Sequence, residues 1–281
     1  MKRKATRVYE YLRHEKKFPG VWCAGCGIGI VMGALIRAID DVGLDKNQVA
    51  IVSGIGCTGR MPVYLDFNTM HTTHGRALAF ATGLKVARPE MTVIAVMGDG
   101  DALAIGGNHF IHAARRNIGI TSIIVNNQIY GMTGGQASPT TPTGMRATTA
   151  PYGNLDQPFP ITDLAIAAGA AFVARSTVYH ATELDRFIAQ GIQIPGFAVI
   201  EAVSYCHTTY GRINRLGNAV AMMRAIREHS IRKTAHERLP VDDRDPHAIV
   251  RGVFHDEVAK PEYTDLYQKL IDEMREESSQ P

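Results

Sequence analysis

The sequence predicts an α/β fold, with a doubly wound, mostly parallel sheet covered by helices on both faces. Short runs of β-branched residues alternate along the chain with longer segments in which apolar residues recur at intervals of three and four. This alternation is typical of strand–helix–strand units, whose strands pair in parallel. The chain has 281 residues, of which 45% are hydrophobic and 20% charged, so it can bury a sizeable core as one large domain.

The individual elements follow from these two periodicities. Five β-branched runs are predicted to be strands: Val49 to Ser53, Thr92 to Met97, Thr121 to Asn126, Ala171 to Arg175 and Phe197 to Val203. Helical periodicity predicts five helices around them: Gly29 to Val42, Gly75 to Ala87, Ala102 to Arg116, Ile161 to Ala168 and Ala181 to Gln190. Residues 131–152 are rich in Gly, Thr and Pro and should form a long loop, which inside a compact domain usually serves a site.

The last part of the chain differs in character. Residues 238–281 alternate in charge, contain several prolines and show one helical segment near Glu262 to Glu276. We therefore predict that residues 1–237 form one domain that carries the sites described below. Residues 238–281 should form an irregular extension that packs on this domain or on a partner subunit.

Charge and apolar runs exclude two classes of function. A net charge of +3 is too small for a nucleic-acid binder that neutralises many phosphates. Membrane insertion is not expected, because no apolar run approaches the roughly 20 residues that a spanning helix needs. Basic residues cluster late in the chain and form either a solvated helix face or a docking surface for an acidic partner: Arg212, Arg215, Arg224, Arg227, Arg232, Lys233 and Arg238.

The N-terminal segment and the cysteines indicate a reducing, cytoplasmic location. Residues 8–20 are interrupted by charges, so they lack the apolar core of an export signal. Four cysteines are too few for a disulfide scaffold in a chain of this length, and their positions favour metal ligation.

Polar residues follow two neighbouring predicted strands. Gly98 to Asp101 comes directly after one strand, and Asn126-Asn127 ends the next. Ligands bind at the carboxyl ends of strands in open α/β sheets, and Mg²⁺ prefers carboxylate, amide and phosphate oxygens. Each segment alone would be an ordinary turn, but the combination predicts a magnesium–diphosphate site, in which a helix starting near Ala102 directs its N-terminus at the diphosphate.

The four cysteines form a second candidate site. Cys23 and Cys26 are a close pair, whereas Cys57 lies in the segment GIGCTG at the end of a predicted strand and Cys206 follows the final strand. Four thiolates suit a structural zinc ion or an iron–sulfur cluster, and spacing alone does not decide between them. The presence of only one close pair favours a cluster, and Cys206 is the cysteine that most easily fits a plain core role.

The segment Gly54 to Gly59 also matches the glycine fingerprint of dinucleotide-binding folds. In such folds a helix begins immediately after the glycines. Pro62 and the absence of helical periodicity over Val63 to Asn68 argue against this reading.

Five segments together resemble the β subunit of 2-oxoacid:ferredoxin oxidoreductases. They are WCAGCG at 22–27, SGIGCTGR at 53–60, HTTHGR at 71–76, GDGD at 98–101 and NNQIYGMTGGQASPT at 126–140. The resemblance runs in order from about Trp22 to Tyr210. Ala24 replaces a more usual proline, and Arg60 stands where some members carry lysine.

The resemblance implies a thiamine-diphosphate-binding fold and a specific set of site residues. One [4Fe–4S] cluster would be ligated by Cys23, Cys26, Cys57 and Cys206, and Mg²⁺ by Asp99, Asn127 and the Ile129 carbonyl. Cofactor contacts would come from Ile55, Gly56, Cys57, His74, Gly98, Asp99, Gly100, Asp101, Asn127, Ile129, Tyr130, Gly131, Met132 and Thr133. His74 and Arg60 are the candidate catalytic residues, whereas for His71 a structural role is equally favoured.

The implied reaction is the oxidative decarboxylation of a 2-oxo acid to acyl-coenzyme A and CO₂, or its reverse, with electrons passing through the cluster to ferredoxin. The segment 204–212 is more similar to relatives that use 2-oxoglutarate than to those that use pyruvate or branched-chain 2-oxo acids. The glutamate that activates thiamine comes from another polypeptide in this family, so we expect an α subunit and a dimer of αβ pairs.

Two alternatives remain open from the residues alone. One is a non-redox thiamine-dependent decarboxylase or carboligase with a structural zinc site. The other is a zinc-stabilised binding module whose thiamine motif is accidental or decayed.

Overall fold

The computed structural model describes residues 8–15, 19–257 and 259–278. Its helices are α1 (Ile28–Val42), α2 (Ala77–Ala87), α3 (Asp99–Leu103), α4 (Gly107–Arg116), α5 (Ile161–Ala167), α6 (Ala181–Gln193), α7 (Ala219–Glu228), α8 (Lys233–His236) and α9 (Tyr263–Ser278). Its strands are β1 (Val49–Ser53), β2 (Asn68–His71), β3 (Thr92–Gly98), β4 (Ile120–Asn126), β5 (Ile129–Tyr130), β6 (Gln136–Ala137), β7 (Phe172–Thr177), β8 (Ala198–Val203), β9 (Ser230–Arg232) and β10 (Ile249–Asp256).

One eight-stranded sheet organises the fold, in the order β2-β1-β3-β4-β8-β7-β10-β9. The strands from β2 to β7 in this order are all parallel, and β10 is antiparallel to β7. Alternate residues of the central strands point to two separate cores, one packed with α1 and α6 and the other with α2, α4 and α5. The predicted doubly wound α/β class is confirmed.

The central strands are apolar along their whole length because helices cover both of their faces. Every residue of β1, β4 and β8 is buried. On one face, α1 packs against α6, and Arg37 makes a bidentate ion pair with Asp185 at 2.8 Å for both contacts. Gly43 ends α1 in a left-handed conformation, with φ 77°, that a residue with a Cβ rarely adopts.

The five predicted strands and most helices lie within a few residues of their observed bounds, with one clear error. The helix predicted over Ala102 to Arg116 is two helices, α3 and α4. At Gly106 a Cβ would lie 2.2 Å from the Asp101 carbonyl oxygen and 3.2 Å from the Gly75 Cα. This close backbone approach requires glycine and interrupts the helix.

Five short or peripheral strands were not predicted: β2, β5, β6, β9 and β10. After β1 the chain forms a 3₁₀ helix, Thr58–Val63, and then β2 at the edge of the sheet. The C-terminal segment, predicted to be irregular apart from one helix, also supplies β10 to the main sheet, and β9 pairs with β10. The domain division at residue 237 stays a prediction.

The parallel strands β1, β2, β3, β4 and β8 end at the same edge of the sheet, and the segments that follow them carry the candidate site residues. In the described part of the chain, no helix combines the length and apolarity needed to cross a membrane.

Candidate functional site

Asp99 is the buried carboxylate at the centre of the site. It begins α3 directly after β3 and is 2% exposed. Its Oδ2 accepts hydrogen bonds from the Ser138 hydroxyl at 2.6 Å and the Thr140 hydroxyl at 2.5 Å. Burial raises the pKa of Asp99, while these hydroxyls and the backbone amides of Asp99 and Gly100 oppose the rise. A cation beside this carboxylate would offset its cost of burial.

The segment after β4 faces Asp99 across the sheet edge. Asn127 is buried, and its Oδ1 accepts only a long hydrogen bond, 3.4 Å, from the Ile129 amide. Between them Gln128 has φ 62°, a left-handed conformation that costs energy for a residue with a side chain. The Thr141 hydroxyl donates to the Gln128 carbonyl at 2.7 Å and stabilises this turn. The strained turn presents amide and carbonyl oxygens at the edge.

Tyr130 packs on the backbone of α3. Its hydroxyl donates to the Gly100 carbonyl at 3.2 Å, and its ring lies edge-on to His74 with centroids 6.1 Å apart. A Cβ at Gly100 would lie 2.2 Å from the Tyr130 ring, so only glycine allows this contact. Gly98, the residue before α3, is extended and brings the chain into the site.

Asp101 connects three loops that are distant in sequence. The carboxylate is 2% exposed, and its Oδ1 accepts from the amides of Gly75 at 2.6 Å and Ile55 at 3.2 Å. The same oxygen lies 2.7 Å from Nδ1 of His74, whose side chain is 35% exposed. Burial raises the Asp101 pKa, and the Gly75 amide, the Ile55 amide and His74 oppose the rise. At Gly54 a Cβ would lie 2.0 Å from Asp101 Oδ2, so glycine lets this backbone approach the carboxylate.

The remaining predicted residues are more peripheral. His71 Nδ1 lies 3.0 Å from the Ser53 hydroxyl, which donates to the Gly59 carbonyl at 2.9 Å. Because that hydroxyl has one proton, His71 Nδ1 must be the donor, which gives His71 a structural bond. Arg60 is exposed, and its side chain has no hydrogen bond or ion pair with another described residue.

The remaining residues predicted to contact the cofactor are glycines and loop residues. Gly56 has φ 119°, Met132 is 46% exposed, and the Thr133 hydroxyl donates to the Gln136 side chain at 2.6 Å. Gly131 lies against the cysteines, since a Cβ there would be 3.2 Å from Cys206 Sγ and 3.8 Å from Cys57 Sγ.

The structure brings the four cysteines to one region, where Cys57 lies within electrostatic reach of the other three and Thr208 contacts Cys23 and Cys206. The pKa of Cys57 is raised to about 11, mainly by burial and to a lesser extent by the neighbouring charges of Cys26, Cys206 and Cys23. The Trp22 indole donates to the Cys57 carbonyl at 2.8 Å and attaches the first cysteine segment to the second. Thiols in this environment resist ionisation unless a metal compensates their charge.

Although the cysteines lie near one another, they are not arranged as the ligands of a single metal ion. Within the three described ranges, no three His, Cys, Asp or Glu side chains are arranged to hold one metal ion. Gly131 lets the backbone lie close to Cys57 and Cys206, since any larger side chain would meet these two sulfurs.

Sequence reasoning missed four residues with contacts in the site. Ser138 and Thr140 bind Asp99 from the predicted loop, and the Ser-Pro-Thr sequence in that loop was a usable signal. Glu201 is 2% exposed in the apolar strand β8, where it accepts from Asn126 at 2.8 Å and pairs with Arg175 at 2.7 Å. A lone carboxylate in an apolar strand was also a signal. Thr208 contacts two cysteine sulfurs and carried no such signal.

A cavity of about 810 Å³ opens beside the sheet edge that carries Asn127. Asn126, Asn127 and Thr140 line one side, and residues of α7 and β10 line the other. Its walls are mainly apolar, with the Arg175–Glu201 pair among the polar groups. The cavity is therefore continuous with the site that surrounds Asn127.

The chain is similar in sequence to known proteins. Residues 53–202 match the family described as "Thiamine pyrophosphate enzyme, C-terminal TPP binding domain". The chain is 47% identical to the 2-oxoglutarate synthase subunit KorB of Methanocaldococcus jannaschii, over 95% of this chain and 98% of the relative. It is 49% identical to the subunit of the same name from Archaeoglobus fulgidus, over 93% of each chain.

A solved structure shares the whole fold. The chain is similar to the 2-oxoglutarate:ferredoxin oxidoreductase from Magnetococcus marinus with 2-oxoglutarate, coenzyme A and succinyl-CoA bound. The TM-score is 0.84 at 30% identity, and the alignment covers 97% of this chain and 92% of that one. These similarities include the strands whose ends carry the site.

Proposed function

The chain belongs to the KorB family, the β subunits of 2-oxoglutarate:ferredoxin oxidoreductases, and we propose that it holds Mg²⁺ and one [4Fe–4S] cluster beside its thiamine diphosphate. It is thus part of an oxidoreductase that uses 2-oxoglutarate, coenzyme A and ferredoxin together with an α subunit. The sequence-based preference for 2-oxoglutarate over pyruvate or branched-chain acids is confirmed, and the non-redox decarboxylase and the binding module are set aside.

The observation that carries the magnesium assignment is the buried, hydroxyl-bound carboxylate of Asp99 opposite the weakly bonded amide of Asn127. We assign Asp99, Asn127 and the Ile129 carbonyl as the Mg²⁺ ligands. Ser138 and Thr140 orient the Asp99 carboxylate, and the strained Gln128 turn holds the other two donors. Mg²⁺ would remove the cost of burying Asp99 and bind the diphosphate through its remaining positions.

The four cysteines are the proposed ligands of the cluster. Burial raises the pKa of the Cys26 and Cys57 thiols, and Gly131 lets the backbone lie close to the sulfurs of Cys57 and Cys206, which supports a metal group that compensates thiolate charge at this position. A ferredoxin-linked reaction needs an electron exit, which a zinc ion does not provide because it has no redox chemistry. Thiamine diphosphate supplies the nucleophilic carbon for the 2-oxo acid when bound, and the cluster supplies one-electron transfer.

His74 and Arg60 are the proposed catalytic side chains of this subunit. Nδ1 of His74 lies 2.7 Å from Asp101 Oδ1, which leaves Nε2 of the ring available to contact a ligand. The exposed Arg60 guanidinium, three residues after Cys57 in the chain, would contact an anionic group of substrate or cofactor. Ile55, Tyr130 and Met132 would surround the cofactor and exclude water.

The assembly proposed is a dimer of αβ pairs in the cytoplasm, with the activating glutamate supplied by the α subunit. The exposed apolar side chains Tyr152, Leu155 and Phe159, which follow the site loop, support a partner surface on this side of the sheet.

The proposed cofactors are tested by co-purifying the chain with its α subunit without oxygen. The wild-type complex should contain about four iron and four sulfide per β subunit and absorb broadly at about 400 nm. It should reduce viologen with 2-oxoglutarate and coenzyme A faster than with pyruvate or branched 2-oxo acids.

Two variants separate the cofactors. Cys26→Ser should lose iron and keep magnesium-dependent thiamine diphosphate binding, whereas Asp99→Asn should lose that binding and keep iron. Asp243→Asn, a change at an exposed carboxylate, is the matched control. A complex that contains zinc instead of iron, or that reduces viologen with none of the acids, would contradict the proposal.

A further inference from the structure

Thr208 contacts two of the four cysteines. Its hydroxyl oxygen lies 3.5 Å from Cys23 Sγ and 3.7 Å from Cys206 Sγ, both within hydrogen-bonding distance for sulfur. Cys23 and Cys206 come from opposite ends of the cysteine set, so one hydroxyl bridges two remote segments. The hydroxyl has no other hydrogen-bond partner among the described residues.

The local backbone explains why Thr208 reaches both sulfurs. Residues His207–Gly211 form a single π-helical turn after β8, and the Gly211 amide donates to the Cys206 carbonyl at 2.8 Å. Such wide turns are rare and occur frequently at functional sites. Thr208 is exposed, so core packing does not account for its position.

We propose that the Thr208 hydroxyl donates its single proton in a hydrogen bond shared between the cluster-ligating sulfurs of Cys23 and Cys206, and thereby raises the reduction potential of the cluster. This inference rests on the proposed [4Fe–4S] site. In free thiols either atom could be the donor, but a metal-bound thiolate sulfur only accepts, so the hydroxyl must donate.

The direction of the effect follows from charge. Reduction adds one electron, taken from a mediator or from the substrate, and part of its negative charge spreads onto the ligand sulfurs. A donor at these sulfurs stabilises the reduced cluster more than the oxidised one, which raises the potential. Thr208 is thus a positioning and tuning residue that acts through the cysteines and does not touch the substrate.

The test compares Thr208→Val, which keeps the shape and removes the donor, with Thr208→Ser, which keeps the donor. Thr209→Val is the matched control, because the adjacent Thr209 makes no sulfur contact in the described chain. The midpoint potential of each anaerobic αβ complex is measured by a mediated titration followed by electron paramagnetic resonance, after iron and sulfide are shown to be equal.

T208V should have a lower midpoint potential than wild type, while T208S and T209V should stay close to it. An unchanged or higher potential in T208V, or an equal shift in T208S, would overturn the inference. Loss of the cluster from T208S would also overturn it, because the donor remains.

A second measurement covers the case in which T208V does not retain its cluster. The reduced wild-type complex in D₂O should show an exchangeable deuteron coupled to the cluster by electron–nuclear double resonance, and T208S should retain it. Absence of that coupling in wild type overturns the inference whatever T208V does. A complex with no iron at all would instead contradict the proposed function.

Discussion

The Asp101 carboxylate offers the sharpest test of how the site is assembled, because one buried group connects the loops after β1, β2 and β3. We consider Asp101→Ala, which removes the acceptor, and Asp101→Asn, which keeps an oxygen but not the charge. Both leave Asp99 unchanged. The contacts at stake are the Ile55 amide, the Gly75 amide and His74 Nδ1.

The expected magnitude follows from those bonds. Hydrogen bonds to a charged group contribute about 1.5–3 kcal/mol each, so the two amides contribute about 3–6 kcal/mol. Burial of the charged carboxylate also costs free energy, and this cost is the largest cause of its raised pKa, so the net contribution of the carboxylate is smaller. D101A should therefore lower the free energy of unfolding by about 2–4 kcal/mol. In D101N the neutral bonds remain, at about 0.5–1.5 kcal/mol each, and the loss should be about 1–2 kcal/mol.

Urea unfolding of the full chain, followed by circular dichroism, measures these losses. Calorimetry with thiamine diphosphate and Mg²⁺ measures the effect on the site. The affinity for thiamine diphosphate should fall at least about tenfold in D101A, since ordering the released loops would cost about 1.4 kcal/mol on binding. Asp243→Asn, the same chemical change at an exposed position, is the control.

The predicted order of destabilisation is D101A, then D101N, then D243N. If D101A unfolds within about 0.5 kcal/mol of D243N, the range typical of surface substitutions, Asp101 does not hold the loops together. If D101A is unstable but binds thiamine diphosphate with wild-type affinity, the carboxylate supports the fold and not the site.

Three further substitutions test other parts of the structure. Gly100→Ala should weaken thiamine diphosphate binding at least about tenfold in calorimetry because its Cβ meets the Tyr130 ring. Adding Tyr130→Ala should recover part of the loss, and strictly additive effects of the two changes would contradict this contact. Glu201→Gln weakens the bond to Asn126 and should reduce magnesium-dependent binding of thiamine diphosphate about fivefold with the iron content unchanged. An unaltered affinity would show that this pair does not support the turn at Asn127. Asp185→Ala breaks the bidentate pair between α1 and α6 and should cost about 3 kcal/mol in urea unfolding without changing cofactor affinity; a loss below about 1 kcal/mol would refute that magnitude.

Much of the fold, and the sheet edge that carries Asp99 and Asn127, could be predicted from the sequence. The predicted strands Thr92 to Met97 and Thr121 to Asn126 agree closely with β3 and β4, because long buried runs of β-branched residues have few alternatives. Parallel strands end at one edge, so Asp99 and Asn127 could be placed together before any coordinates were known.

Short edge strands were harder to predict. β2 has four residues and β9 has three, and neither is a long apolar run. Their strand conformation comes from pairing with β1 and β10, which are distant in sequence or belong to the C-terminal segment. The helix error at Gly106 has the same origin, since the backbone of Gly75 approaches from another loop.

The sequence by itself determined the fold class and the family, and it supplied the residues proposed to ligate metals, because these depend on local periodicity and on motifs of fixed spacing. Only the tertiary structure decided which groups act together. Asp101 meets Ile55 and Gly75, and Thr208 meets Cys23, through contacts that span the chain. Such contacts depend on where strand ends meet in space, which local periodicity does not specify.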